Sequence, residues 1–101
     1  MIQEIKDRND SVLYLKENGL FAKQRDWVMG ETVGVFGGEL PDGPNGIKAW
    51  RFCLYIHKHE NEWAVSDLAY QVSEPTKCGT LHRATEFACK LMLGKLTNEN
   101  A

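Results

Sequence analysis

Apolar and polar positions alternate most clearly between Lys48 and His57. Trp50, Phe52, Leu54 and Ile56 interleave there with Arg51, Cys53, Tyr55 and His57. A period of two with one apolar face predicts a half-buried strand. After the polar Glu60-Asn61-Glu62 the period resumes, with Trp63 and Val65 on one face of Trp63-Ala64-Val65-Ser66-Asp67-Leu68. Two such runs around a short polar segment predict an antiparallel hairpin. Glu31 to Phe36 reads as another strand, weakened by Gly34 and closed by Gly37-Gly38. Positions 22–30 leave the pattern undecided, and Trp27, Val28 and Met29 could begin a fourth strand.

Helical periods occupy both ends. Asp10 or Ser11 can cap a helix over Val12 to Asn18, with Gly19 in the left-handed conformation that ends it. Leu81, Ala84, Ala88, Leu91 and Met92, widened by Phe87, form an apolar stripe behind a Thr80 cap. Gly94 stands where that helix should stop, leaving 95–101 as a tail. Leu40 to Gly46 holds two prolines with Asp-Gly and Asn-Gly pairs and reads as a loop; Ser73 to Gly79, with Pro75, reads as a turn region. The order α-β-β-β-α predicts an α+β two-layer sandwich, with a three- to four-stranded antiparallel sheet and one helix from each terminus. Such a narrow sheet is mostly edge, and unpaired N–H and C=O groups on an edge are a template for another chain or a second copy.

At 101 residues the chain predicts a single domain, its ordered core spanning about 10–94. The formal charge is only −2, but it is unevenly spread. Residues 27–74 carry seven carboxylates (Glu31, Glu39, Asp42, Glu60, Glu62, Asp67 and Glu74) against Lys48, Arg51 and Lys58, a net of −4. An acidic middle disfavours phosphate backbones, whose binding is built by Lys and Arg, and suits a basic protein partner. The longest apolar run, Phe52 to Ile56, is far short of a membrane span, and Met1 to Arg8 lacks the apolar stretch of a secretory signal. Cys53, Cys78 and Cys89 match no C-x-x-C spacing; Cys53 and Cys89 read as buried reduced thiols, which predicts a cytoplasmic location.

Chemistry-bearing residues are present without a catalytic pattern. His57, His59 and His82 could be imagined around zinc, yet nothing in their spacing makes them converge, so no metal or other cofactor is expected. Glu60 and Glu62 sit at a hairpin tip, where solvent keeps carboxylates ordinary. Cys78, ahead of the last helix, is the best enzymatic candidate, because a helix N-terminus can lower a thiol pKa. Gly37-Gly38 and Gly43 to Gly46 lack the Gly-Lys-Ser/Thr ending of a phosphate loop. Trp27, Trp50 and Trp63 read as core aromatics. The expected role is therefore non-enzymatic binding of a partner protein. Glu39, Asp42, Glu60, Glu62 and Asp67 would supply the electrostatics, with Arg51 and Tyr55 as anchors on the polar face of the central strand.

Two families share features of this chain. The α-β-β-β-α order, with Ala84 and Ala88 in the last helix, is similar to a double-stranded-RNA-binding domain. That family holds phosphates with lysines at the start of its final helix, where this chain has Thr80-Leu81-His82-Arg83-Ala84, with Arg83 the only fixed charge. Nucleic-acid binding is accordingly the alternative reading. The segment 47–93 resembles small immunity proteins of bacterial polymorphic-toxin and contact-dependent growth inhibition systems. Its aromatic strand Trp50 to Ile56, the strand Trp63-Ala64-Val65-Ser66-Asp67-Leu68 and the closing helix Thr80 to Leu93 carry that likeness. The resemblance implies an acidic cytoplasmic protein that binds a cognate toxin over or beside its active site, and it assigns no individual contact residue.

Overall fold

Asp7 starts the first helix, three residues ahead of the expected Asp10: its carboxylate accepts the Asp10 N–H at 2.9 Å. Asp10 in turn accepts the Lys6 N–H at 3.0 Å, so both acids satisfy backbone donors that a helix start leaves open. A computed structural model describes residues 4–27, 30–41, 49–67 and 74–99 of the chain. Helix α1 covers Arg8–Glu17 and α2 Leu81–Glu99; the strands between them are β1 (Phe21–Trp27), β2 (Gly30–Leu40), β3 (Ala49–His59), β4 (Glu62–Asp67) and β5 (Thr76–Gly79). Gly19, at φ 81, closes α1 as the pattern predicted. The Leu20 N–H then reaches back to Leu15 O and the Gly19 N–H to Lys16 O, which seats Leu20 in the core.

The strands form one antiparallel sheet in the order β1-β2-β3-β4-β5, which confirms the α+β class. Five strands replace the expected three or four. Among the described side chains of β1 (Phe-Ala-Lys-Gln-Arg-Asp-Trp), Ala22 is the one in the hydrophobic core, so this edge strand lacks the apolar alternation that betrays a buried one. In β5 four residues with a bulge against Trp63 and Ala64 are too few for any period. Glu60 (φ 53) and Asn61 (φ 70) form the two-residue turn of the β3–β4 hairpin.

Both helices cover one face. Val33, Val35, Leu54, Ile56 and Val65 from the sheet meet Leu15, Leu81, Ala84, Ala88, Cys89 and Met92 from the helices, with Ile5 also in the core. Ser11 and Thr85 hydroxyls, 2.7 Å apart, join α1 to α2 within this layer. Thr80 caps α2 as expected, accepting the Arg83 N–H at 3.1 Å. The helix does not stop at Gly94 but runs on to Glu99, because Leu96, one turn beyond the buried Met92, packs against the core. Gly94 is exposed, and a Cβ there would meet nothing within 4 Å. Gly94→Ala should therefore stabilise the fold by about 0.5–1 kcal/mol, read as a raised denaturant midpoint at unchanged slope.

Trp63 packs against the core as expected, but Trp50 does not. Gly38, at φ 71, interrupts the extended geometry of β2 beside Glu39, the register partner of Trp50. Alternation fails there, and Trp50 joins Phe21 and Phe36 on the other face.

Candidate interaction surface on the outer sheet face

Strand register sorts the face away from the helices into rows. Phe21, Phe36 and Cys53 lie side by side; Lys23, Gly34, Tyr55 and Ser66 follow, and then Arg25, Thr32, His57, Ala64 and Lys77. Phe21 stacks on Trp50 with ring centroids 5.1 Å apart at 21°, and Phe36 tilts against both. The Phe36 ring also lies over Gly34, where a Cβ would come within 2.9 Å of it. The glycine read as a weakness in β2 thus makes room for an aromatic ring. Phe21 remains 42% exposed, so one end of the face presents an aromatic group to solvent. Next to it Lys23 to Asp26 are four consecutive exposed residues on the sheet's first edge.

Farther along, the face is closed and polar. His57 (2% exposed) and Ser66 (5%) are joined by a 2.7 Å hydrogen bond between the imidazole Nε2 and the serine Oγ. The Lys58 carbonyl lies 3.1 Å from Nδ1 and can only accept, so in the neutral ring Nδ1 carries the proton and Nε2 accepts from Ser66. The order of groups resembles an activated serine. Both side chains are nine-tenths or more buried. Tyr55 is half-buried in the same sheet region; burial, followed by neighbouring Cys53, pushes its phenol pKa up, and Arg25 partly opposes this.

The expected partner-binding residues do not gather in one place. Glu39 and Arg51 lie toward the end of β2–β3 where Ala49 begins its strand, while Glu60 and Glu62 lie at the opposite hairpin. Eleven residues of β3 separate these ends, a span of roughly 30 Å at strand rise. Tyr55 sits midway, Asp67 is exposed at the end of β4 opposite Leu54, and Asp42 lies outside the described residues.

Glu60 pairs with Lys77 of β5 and lies 3.9 Å from His59. The Lys77 hydrogen bond holds the Glu60 carboxyl below the usual range and raises Lys77 in return. Because the Glu60 pKa is lowered, its contribution is present above the unfolded carboxylate value and lost as pH falls through the folded one. Because the Lys77 pKa is raised, its contribution is present below the unfolded lysine value and lost as pH rises through the folded one. Lys77→Met should thus be less stable than the parent near neutral pH, with the gap closing in acid and again in strong base. Urea midpoints across pH will show it, and a constant gap would exclude the ion pair as its origin.

Cys78 departs from the expectation of a lowered pKa. Its thiol is pushed up, first by burial and then by Glu62, so the position before α2 favours the unreactive protonated form. His82 is engaged by other groups: its Nδ1 accepts the Ile5 N–H at 3.0 Å and its Nε2 lies 3.5 Å from Glu86. Among the described residues no three potential metal ligands converge. A cleft of about 210 Å³ between β4 and α2, lined by Asp67, Glu74 and Lys95, lies below the range typical for small-molecule sites, and one of about 380 Å³ beside the start of α1, lined by Asp7, Arg8, Gln24, Glu31 and Trp63, lies within it. No described helix is long and apolar enough to cross a membrane. Sequence reasoning missed Phe21, Lys23 and Arg25; their alternation on β1 was the available signal, hidden because the intervening Gln24 and Asp26 are polar too. No protein-family model, curated protein or solved structure matches the chain.

Proposed function

We propose that this protein is a non-enzymatic binding domain that docks and neutralises a partner protein. The observation that carries the reading is the β1 edge, with the exposed Phe21 at one end of it and Lys23 to Asp26 exposed in sequence. An edge strand can add a partner's strand through its main chain, and exposed aromatic and arginine side chains are the types enriched at interfaces. The opposite edge is ill suited to this: β5 is four residues long, bulged, and tied to the hairpin through Lys77 and Glu60. Short, irregular, charged strands are how proteins protect an edge. The resemblance to bacterial immunity proteins makes a toxin domain the partner and the bacterial cytoplasm the place. Glu39, Asp42, Glu60, Glu62 and Asp67 would then steer its approach, while Arg51 and Tyr55 would anchor it.

The test immobilises the full chain and captures from a lysate of its own host at low salt and at about 0.5 M salt, where exposed charge pairs are screened. One protein in stoichiometric amount, weakened by Phe21→Ala, supports the reading and supplies the target for an inhibition assay. Recovery of RNA instead supports the nucleic-acid alternative and overturns ours. Capture of nothing also counts against it.

A further inference from the structure

Resting on that reading, we infer that the segment received by β1 is an extended strand bearing carboxylates at alternate positions, followed by an apolar residue. The inference comes from which side chains share a face along this edge. Phe21, Lys23 and Arg25 alternate on the outer face, at register positions opposite Phe36, Gly34 and Thr32 of β2. All three are exposed, and each would stand directly beside a residue of an added strand. In an antiparallel addition the partner runs past Arg25 first, then Lys23, then Phe21. The complementary pattern is therefore acid-x-acid-x-apolar, read from the partner's N-terminus, with the last residue joining the Phe21, Phe36 and Trp50 rings.

The same charges select against a second copy. Pairing β1 with itself so that the two sheets continue on one face allows three registers of five or more residues. One centred on Gln24 sets Lys23 opposite Arg25 twice, and those centred on Lys23 or Arg25 set that residue opposite itself. Like charges directly opposed across strands are destabilising. An acidic strand converts each of these repulsions into an attraction. The strand that docks is thus acidic whatever the net charge of the protein that carries it. Expectations of a basic partner rest on carboxylates elsewhere on the molecule.

The experiment titrates the isotopically labelled full chain with short synthetic peptides of core Glu-Val-Glu-Val-Phe and Lys-Val-Lys-Val-Phe, following backbone amide shifts. The acidic peptide should produce saturable shifts in β1 and the adjoining part of β2. It should bind about ten-fold more tightly than the basic one, the expected swing for two exposed cross-strand charge pairs reversed in sign. The double variant Lys23→Glu, Arg25→Glu should invert that preference while its spectrum stays folded. Equal response to both peptides, no response to either, or a preference that survives the double charge reversal would each overturn the inference. Shifts confined to the Glu60–Glu62 hairpin would also overturn it, yet would leave the binding-domain reading standing, which lysate capture decides on its own.

Discussion

Met92→Ala should destabilise the protein by about 2–5 kcal/mol, and a second substitution across the interface should recover part of the loss. Met92 is fully buried and spans the gap between α2 and the sheet at Gly37. A Cβ on Gly37 would lie 2.8 Å from its sulfur, 3.1 Å from its Cγ and 3.2 Å from Leu96 Cδ1. Gly37→Ala alone therefore overpacks the contact, at a cost of about 1–3 kcal/mol. Once Met92 is shortened, the same methyl group enters the space just vacated. The double variant should be more stable than the two separate losses add up to, with a coupling of about 0.5–3 kcal/mol. Urea midpoints of the four proteins measure it. Strict additivity would mean that α2 does not rest on Gly37 through Met92.

Ser66→Ala should lower stability by about 1–3 kcal/mol despite removing a single oxygen atom. The hydroxyl satisfies His57 Nε2 at 2.7 Å inside the sheet, and its removal leaves the buried ring nitrogen without that donor. The size of the effect comes from removing a donor to a ring nitrogen buried away from water, since a hydrogen bond exchanged for water nets only about 0.5–1.5 kcal/mol. In a His57→Phe background the serine no longer serves a ring nitrogen, so Ser66→Ala should cost less there. An equal cost in both backgrounds would show that the serine acts through packing alone. Thermal unfolding reads the difference as several degrees, since about 1 kcal/mol shifts the midpoint by roughly 4–8 °C in a domain of this size.

The parts of this fold legible in the sequence are those in which local pattern and burial agree. Phe52 to His57 and Trp63 to Asp67 alternate because each strand has one face on the helices, and both are strands of one hairpin. Gly19 and Thr80 end and begin helices through their own backbone and hydroxyl chemistry, so they can be read without knowing the rest of the molecule. β1 and β5 could not be read in this way. An edge strand is held by main-chain bonds to one neighbour, and its polar side chains carry no trace of them. Gly94 misled for the opposite reason: one unfavourable residue costs about 1 kcal/mol, less than the burial gained by carrying α2 past it to Leu96.

The candidate site divides along the same line. The sequence by itself determined the residue types, the acidic bias of the central segment, and the three antiparallel strands with the helices around them. Which strands form the edges, and which residues stand on them, was decided by tertiary structure alone. Glu39 and Glu60 both lie in the acidic segment yet end up at opposite ends of β3, because an extended strand converts separation in sequence into distance. Phe21, Phe36 and Trp50 are far apart in sequence yet become one aromatic group, because register across three strands is set by core packing on the opposite face. A period of two states which residues share a face of one strand; only the pairing of strands states which residues share a place.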